Sequence, residues 1–286
     1  MSTRSYRPSG VLKYEDCPRS FYYQYVAKIR STSTSSNLVF GTAVHAAVTG
    51  YLDGSVTTPE DKFREEWRAG IDSAEVEYTS RMGPEDLEAT GVALTSMFPE
   101  AWEAENLMVL RDTQGPVIER RFSVEIDTGV YLNGQPDIVA MDDEARIHVI
   151  DVKTPASVLS TEWYSDQVTA YQHIVEAHKE SLGIEEVSGV GFHNLLKRKM
   201  PSGRSKSKGP EIHPIEKFPA RNREQLDDYA QKIRWMDEDV VKGRFPRRGR
   251  MAHNTPCGMC DFAGLCLNGS WEGLKQPQQQ QVASLV

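Results

Sequence analysis

The change of texture at Gly115 constrains this chain more than any other feature of it. Downstream, segments 116–126, 130–140 and 145–153 are rich in Val and Ile, and Asp127-Thr128-Gly129 and Asp142-Asp143-Glu144 separate them. Apolar, β-branched runs bounded by such turn signals predict strands, here a three-strand meander. Upstream the pattern is helical. Residues 9–28 predict one helix, with Ser9 as N-cap, Leu12, Phe21, Tyr22, Tyr25 and Val26 on its apolar face, and the Ser/Thr run 31–36 as its end. Further helices are predicted over 40–51, 59–80 and 84–106, and beyond the meander over 162–180 and 221–242. A strand at 187–196 and a Gly/Ser/Lys loop at 201–210 lie between those last two. This order gives an α/β core with an N-terminal helical insertion.

The chain divides accordingly into an N-terminal helical region (1–115), a core of sheet and helix (116–220), a C-terminal helix with a cysteine-rich segment (221–272), and a tail (273–286). The tail contains Gln276-Pro277 followed by four glutamines and is expected to be disordered. With 39% hydrophobic residues in 286, the chain can bury a substantial core. No apolar run approaches the roughly 20 residues of a membrane span, and the N-terminus has no signal-peptide core. A cytoplasmic location is the expectation.

A net charge of −8 disfavours a nucleic-acid partner until its distribution is considered. Of 33 Lys and Arg, six fall between Lys197 and Lys208 (Lys197, Arg198, Lys199, Arg204, Lys206, Lys208) and five between Lys242 and Arg250 (Lys242, Arg244, Arg247, Arg248, Arg250), with no acid in either segment. Such segments suit phosphate contacts, although each alone also reads as a solvated loop.

Asp137 and the triplet Asp151-Val152-Lys153 carry the chemistry. They lie near the ends of neighbouring predicted strands, and strand alternation puts Asp151 and Lys153 on one face and Val152 on the other. Paired carboxylates form a site for Mg²⁺ or Mn²⁺, and a lysine beside them can orient an attacking water and stabilise phosphate charge. Standing alone, Asp-Xaa-Lys is usually a surface ion pair. Here it has company: Gly134-Gln135-Pro136-Asp137 upstream, His45 in Gly41-Thr42-Ala43-Val44-His45 before the sheet, and Gln167 and Tyr171 four apart on one face of the following helix. Glu119 is a further acid that the pattern does not place.

These elements, in this order, resemble the motifs of RecB-type nucleases of the PD-(D/E)XK kind: a helical His, a GxxD strand, a (D/E)xK strand and QxxxY. The resemblance covers roughly residues 9–270. It implies a restriction-endonuclease-like core, a mixed sheet flanked by helices. It further implies that His45, Asp137, Asp151 and the Val152 carbonyl bind the metal, that Lys153 is the catalytic lysine, and that Gln167 and Tyr171 support the active site.

The four cysteines are unevenly placed: Cys17 near the start, then Cys257, Cys260 and Cys266. A CxxC loop with one further cysteine nearby points to a metal site rather than disulfides in a cytosolic chain. Four thiolates complete either a zinc site or an iron–sulfur cluster, and one distant cysteine fits paired zinc knuckles less well. The distribution resembles the iron–sulfur staple of AddB-type nuclease domains and of CRISPR-associated RecB-like exonucleases, which implies a structural 4Fe–4S cluster tying the two ends of the chain.

The function expected is therefore a metal-dependent DNA nuclease, an exonuclease on single-stranded DNA or duplex ends, serving repair, recombination, phage DNA processing or CRISPR adaptation. No GxxxxGK(S/T) motif is present, so any helicase motor must be a separate chain, and an integrase partner belongs to the CRISPR-adaptation reading. The alternative is a non-cleaving iron–sulfur DNA-binding subunit of a larger nuclease–helicase complex. Such a subunit would be expected to have lost an acid or the lysine.

Overall fold

The structure is a computed structural model, and it describes residues 3–158, 165–203, 208–248 and 256–276. The chain opens with β1 (Arg4–Tyr6), α1 (Pro8–Asp16), α2 (Pro18–Phe21) and a π-helical turn (Tyr22–Val26). β2 (Arg30–Ser31) and β3 (Ser33–Ser35) lead into α3 (Ser36–Asp53) and α4 (Pro59–Ser73), and β4 (Glu75–Glu77) precedes α5 (Pro84–Glu103). Short strands β5 (Met108–Val109), β6 (Arg111–Asp112) and β7 (Gly115–Pro116) follow. After them come β8 (Phe122–Asp127), β9 (Val130–Gly134), β10 (Ile138–Met141) and β11 (Ile147–Lys153). Helices α6 (Asp166–Ala177) and α7 (Lys179–Leu182) lead to β12 (Gly189–Leu196), β13 (Glu211–Ile212) and β14 (Glu216–Pro219). The chain closes with α8 (Arg223–Val241), a 3₁₀ turn (Pro256–Met259), α9 (Ala263–Asn268) and β15 (Leu274–Lys275).

Two compact units result. One comprises Met1–Ser33, Ser123–Asn133 and Asp227–Val286; the other comprises Thr34–Phe122 and Gly134–Leu226. The second unit is the mixed α/β body. Its sheet runs β13-β12-β11-β10-β5, with β14 also paired to β12; β11 is antiparallel to β10 and parallel to β12. Alternation along β10 and β11 sorts the layers. Ile138, Ala140, Ile150 and Val152 pack with Phe40, Phe63, Trp67 and Phe98 of α3, α4 and α5. Val139, Ile147 and Val149 pack with Val168, Tyr171 and Val175 of α6. The mixed sheet between helices is the architecture expected of the core.

In the first unit, β1 pairs in parallel with β9, which also pairs with β8. Arg4 binds Asp237 of α8 through two bonds (Nε to Oδ1 2.6 Å, Nη2 to Oδ2 2.8 Å), and the Tyr6 hydroxyl donates to the same carboxylate at 2.7 Å.

Two expectations need correction. The single helix over 9–28 is broken at Cys17, which is extended (φ −163°, ψ 109°), because the residue before Pro18 is driven out of the helical region. Pro8 at the first helical position, not a Ser9 cap, starts α1. The three-strand meander is also split. Segment 130–140 breaks at Gln135-Pro136-Asp137, where Pro136 has no N–H for a ladder, so β9 and β10 belong to different sheets. Segment 116–126 breaks at Glu119, whose φ of +44° is left-handed. Part of loop 201–210 (204–207), the start of the helix expected at 162, Arg250 and tail residues 277–286 lie outside the described residues. Among the described residues no helix is long and apolar enough to cross a membrane.

Candidate active site

β10 and β11 set the two aspartates. Ile138 pairs with Ile150, so one further step of the same register brings Asp137 opposite Asp151. Asp137 stands just before β10, at the start of a strand rather than the end expected for it, and its Oδ2 accepts the Val152 N–H at 2.8 Å. Asp151 is 1% exposed, and among the described residues no backbone N–H or neutral side chain donates to its oxygens. Its charged partner is the Lys153 ammonium, 2.6 Å from Oδ2. Alternation aims Asp151 and Lys153 at α6. There Lys153 Nζ donates to Gln167 Oε1 at 2.8 Å, and Gln167 Nε2 donates to the Tyr171 hydroxyl at 3.1 Å.

His45 reaches the same place from α3, an 18-residue helix whose N-cap Ser35 accepts the Asn37 N–H. His45 Nε2 lies 2.9 Å from the Val152 carbonyl oxygen and 3.4 Å from Asp137 Oδ2, while Nδ1 faces Glu119 Oε1 at 3.3 Å. Ligand atoms of His45, Glu119 and Asp137 all lie within 4.8 Å of one another. Glu119 joins because its N–H bonds the Asp137 carbonyl at 3.0 Å. Its left-handed backbone, which a strand reading of 116–126 cannot anticipate, hid this from the sequence.

Burial works against charge on His45, but Glu119, Asp137, the Val152 carbonyl and Asp151 outweigh it and push its pKa up to about 9. Burial and the facing Asp151 carboxylate push the Asp137 carboxyl well above the usual carboxylate range. Burial, with Asp151 and Asp137, likewise raises the Tyr171 phenol. These shifts share an origin: more negative charge than a buried site holds unaided. The donor set gathered there, the Glu119 and Asp137 carboxylates, one imidazole and the Val152 carbonyl, is of the kind that selects a hard divalent cation, and the Asp151 carboxylate lies outside that 4.8 Å group. A cleft of about 450 Å³ opens on it, lined in part by Gly41, His45, Glu119, Val152 and Lys153.

The four cysteines all lie in the first unit. Cys17 is buried. Cys260 Sγ is 3.7 Å from Ser20 Oγ beside the apolar group Ile29, Phe262 and Leu274, and Arg247 hydrogen-bonds Cys266. Among the described residues, no three of these sulfurs come within 4.8 Å of one another.

The basic segments are largely engaged. Lys199 pairs with Asp86 at 2.8 Å and Arg198 with Glu211 at 2.5 Å. Lys242 pairs with Glu238, Arg244 with Asp239, and Arg248 donates to the Glu15 and Asp16 carbonyls. Arg204, Lys206 and Arg250 lie outside the described residues.

No curated protein matches the chain. Among solved structures, the crystal structure of SSO0001 is similar over 83% of this chain and 87% of its own, at 11% identity and a TM-score of 0.33. Residues 7–267 match the model of the PD-(D/E)XK nuclease superfamily, a span that contains every one of the site residues above. By that match the chain belongs to the PD-(D/E)XK nuclease superfamily.

Proposed function

We propose that this member of a metal-dependent nuclease superfamily is a deoxyribonuclease acting as an exonuclease on single-stranded DNA or duplex ends. The observation that carries the reading is the buried Asp151 carboxylate, paired with the Lys153 ammonium and across from an Asp137 whose Oδ2 lies 3.4 Å from His45 Nε2. His45, Asp137, Asp151 and the Val152 carbonyl would hold Mg²⁺ or Mn²⁺. Bound there, the ion supplies Lewis-acid charge at the phosphate and a more acidic water.

The chain's own residues do the rest. Lys153, fixed between Asp151 and Gln167, presents an ammonium to the phosphate and the incoming water. Tyr171 holds Gln167, and Gln167 holds Lys153, so both act through the lysine. The preference for ends rests on the resemblance of the motifs, as do the roles in repair, recombination, phage DNA processing or CRISPR adaptation. A helicase or integrase partner rests on the same ground. All of the acids and the lysine are present, which favours cleavage over a purely DNA-binding subunit.

Cys17, Cys257, Cys260 and Cys266 are proposed as ligands of a structural 4Fe–4S cluster. Their common unit supports this despite 240 positions between Cys17 and Cys257. A tetrahedral zinc site with bonds of about 2.3 Å needs its sulfurs within about 4 Å, closer than any three of them stand.

End-labelled linear and circular DNA with Mn²⁺ tests the reading. Asp151→Ala and Lys153→Ala should each cut the rate by about 10²-fold or more while fold and DNA binding persist. Full activity in both would sink it. Anaerobically prepared protein should be brown and Cys257→Ser should bleach it; a colourless, zinc-containing wild type would rule the cluster out.

A further inference from the structure

The cleft at His45 and Lys153 shares Asn37 and Thr154 with an adjoining cavity of about 560 Å³. The lining of that second cavity contains two cations, Lys197 and Arg81, and polar groups of Ser36, Asn37, Thr79 and Ser80, but no Asp or Glu among the described residues. Two cations with no carboxylate facing them give this cavity a positive lining, which favours an anion.

Lys197 is the telling residue. Its neighbours Arg198 and Lys199 are tied to Glu211 and Asp86. Lys197 instead lies over the Phe40 ring, 5.3 Å from its centroid, and donates to the Asn37 side-chain oxygen. Among the described residues no carboxylate comes within 4.0 Å of Lys197 in an ion pair, and burial lowers its pKa. A half-buried ammonium with only neutral partners is stabilised by an incoming anion. Arg81 sits in the tight turn closed by Thr79 and Met82, exposed and without an ion-pair partner among the described residues.

We propose that this cavity seats the phosphate next to the scissile one in single-stranded DNA, with Lys197 and Arg81 as its contacts. The proposal rests on the nuclease reading and adds the route of the strand. The space suits a nucleotide or two of one strand, not a duplex.

The test is fluorescence anisotropy of a labelled oligothymidylate, with no divalent metal, across 50–200 mM salt. Lys197→Ala and Arg81→Ala should each lower the magnitude of the log–log salt slope by about 0.7 and weaken binding several-fold, and Lys197→Arg should restore most of it. Arg81 is on an exposed turn, so its variant reads the cavity even where Lys197→Ala folds poorly. A double variant with wild-type affinity and slope would overturn the proposal, and so would an equal loss on a blunt hairpin duplex. Wild-type protein that binds oligothymidylate through these cations yet never cuts DNA would sink the nuclease reading instead, so the two failures are told apart.

Discussion

Gly91 of α5 faces the Phe63 ring so closely that an added Cβ would stand 1.9 Å from Phe63 Cζ. Phe63 is fully buried and stacked on Trp67 at 6.2 Å, so it has nowhere to swing. Gly91→Ala should therefore destabilise by about 1–3 kcal/mol in denaturant titrations, even though alanine gains about 1 kcal/mol of helix propensity. Asp142 is a second such point. Burial opposes its charge, but bonds from His148, the Arg146 backbone and the Arg146 guanidinium hold its pKa far below the usual range. A depressed carboxylate stabilises the fold fully above the unfolded pKa of about 4, and that contribution is lost progressively as pH falls from there through the depressed folded pKa. Wild type should thus lose stability more steeply than Asp142→Asn as pH falls below about 4. Glu119→Gln should raise the Mn²⁺ concentration for half-maximal activity by about 10-fold or more; an unchanged metal dependence would leave Glu119 outside the site. The facing of Asp151 and Lys153 was legible because strand alternation determines where their side chains point, whereas Asp137, just before β10, was legible from its GxxD spacing. Glu119 was not, because a positive φ follows no periodicity.

Among elements, α6 shows how the site is held. Gly134 at the end of β9 meets it: a Cβ there would lie 2.3 Å from Cδ1 of the buried Ile174 and 3.6 Å from the Tyr171 ring. Gly134→Ala should displace that Ile174 methyl within the packed layer and so disturb the seating of α6 with Gln167 and Tyr171. The expected result is a fall in kcat of about tenfold with the circular dichroism spectrum retained. Most elements could be read from hydrophobic period and turn residues, since those reflect local preference and burial together. The exceptions are instructive. Pro18 and Pro136 each break what apolar pattern alone runs together, because a missing N–H and a restricted preceding residue do not show in hydrophobicity. Arg198 and Lys199 read as free because Glu211 and Asp86 become their neighbours only through folding, whereas Lys242 meets Glu238 one helical turn back.

At the scale of the molecule, the unit that holds the cysteines is assembled from three separated stretches, whereas the unit holding the aspartates takes two. Cys17→Ser should accordingly speed amide exchange over 3–31 and 256–276 and leave β10, β11 and β12 protected; uniform loss throughout would contradict it. The same division bears on synthesis. At roughly 5–20 residues per second, the ribosome delivers Cys257 on the order of tens of seconds after Cys17. By then the whole of 34–226 has been made, including the stretch Ser123–Asn133 that belongs to the other unit, and the sheet bearing both aspartates can close while the N-terminal thiol still waits for the last part of the chain.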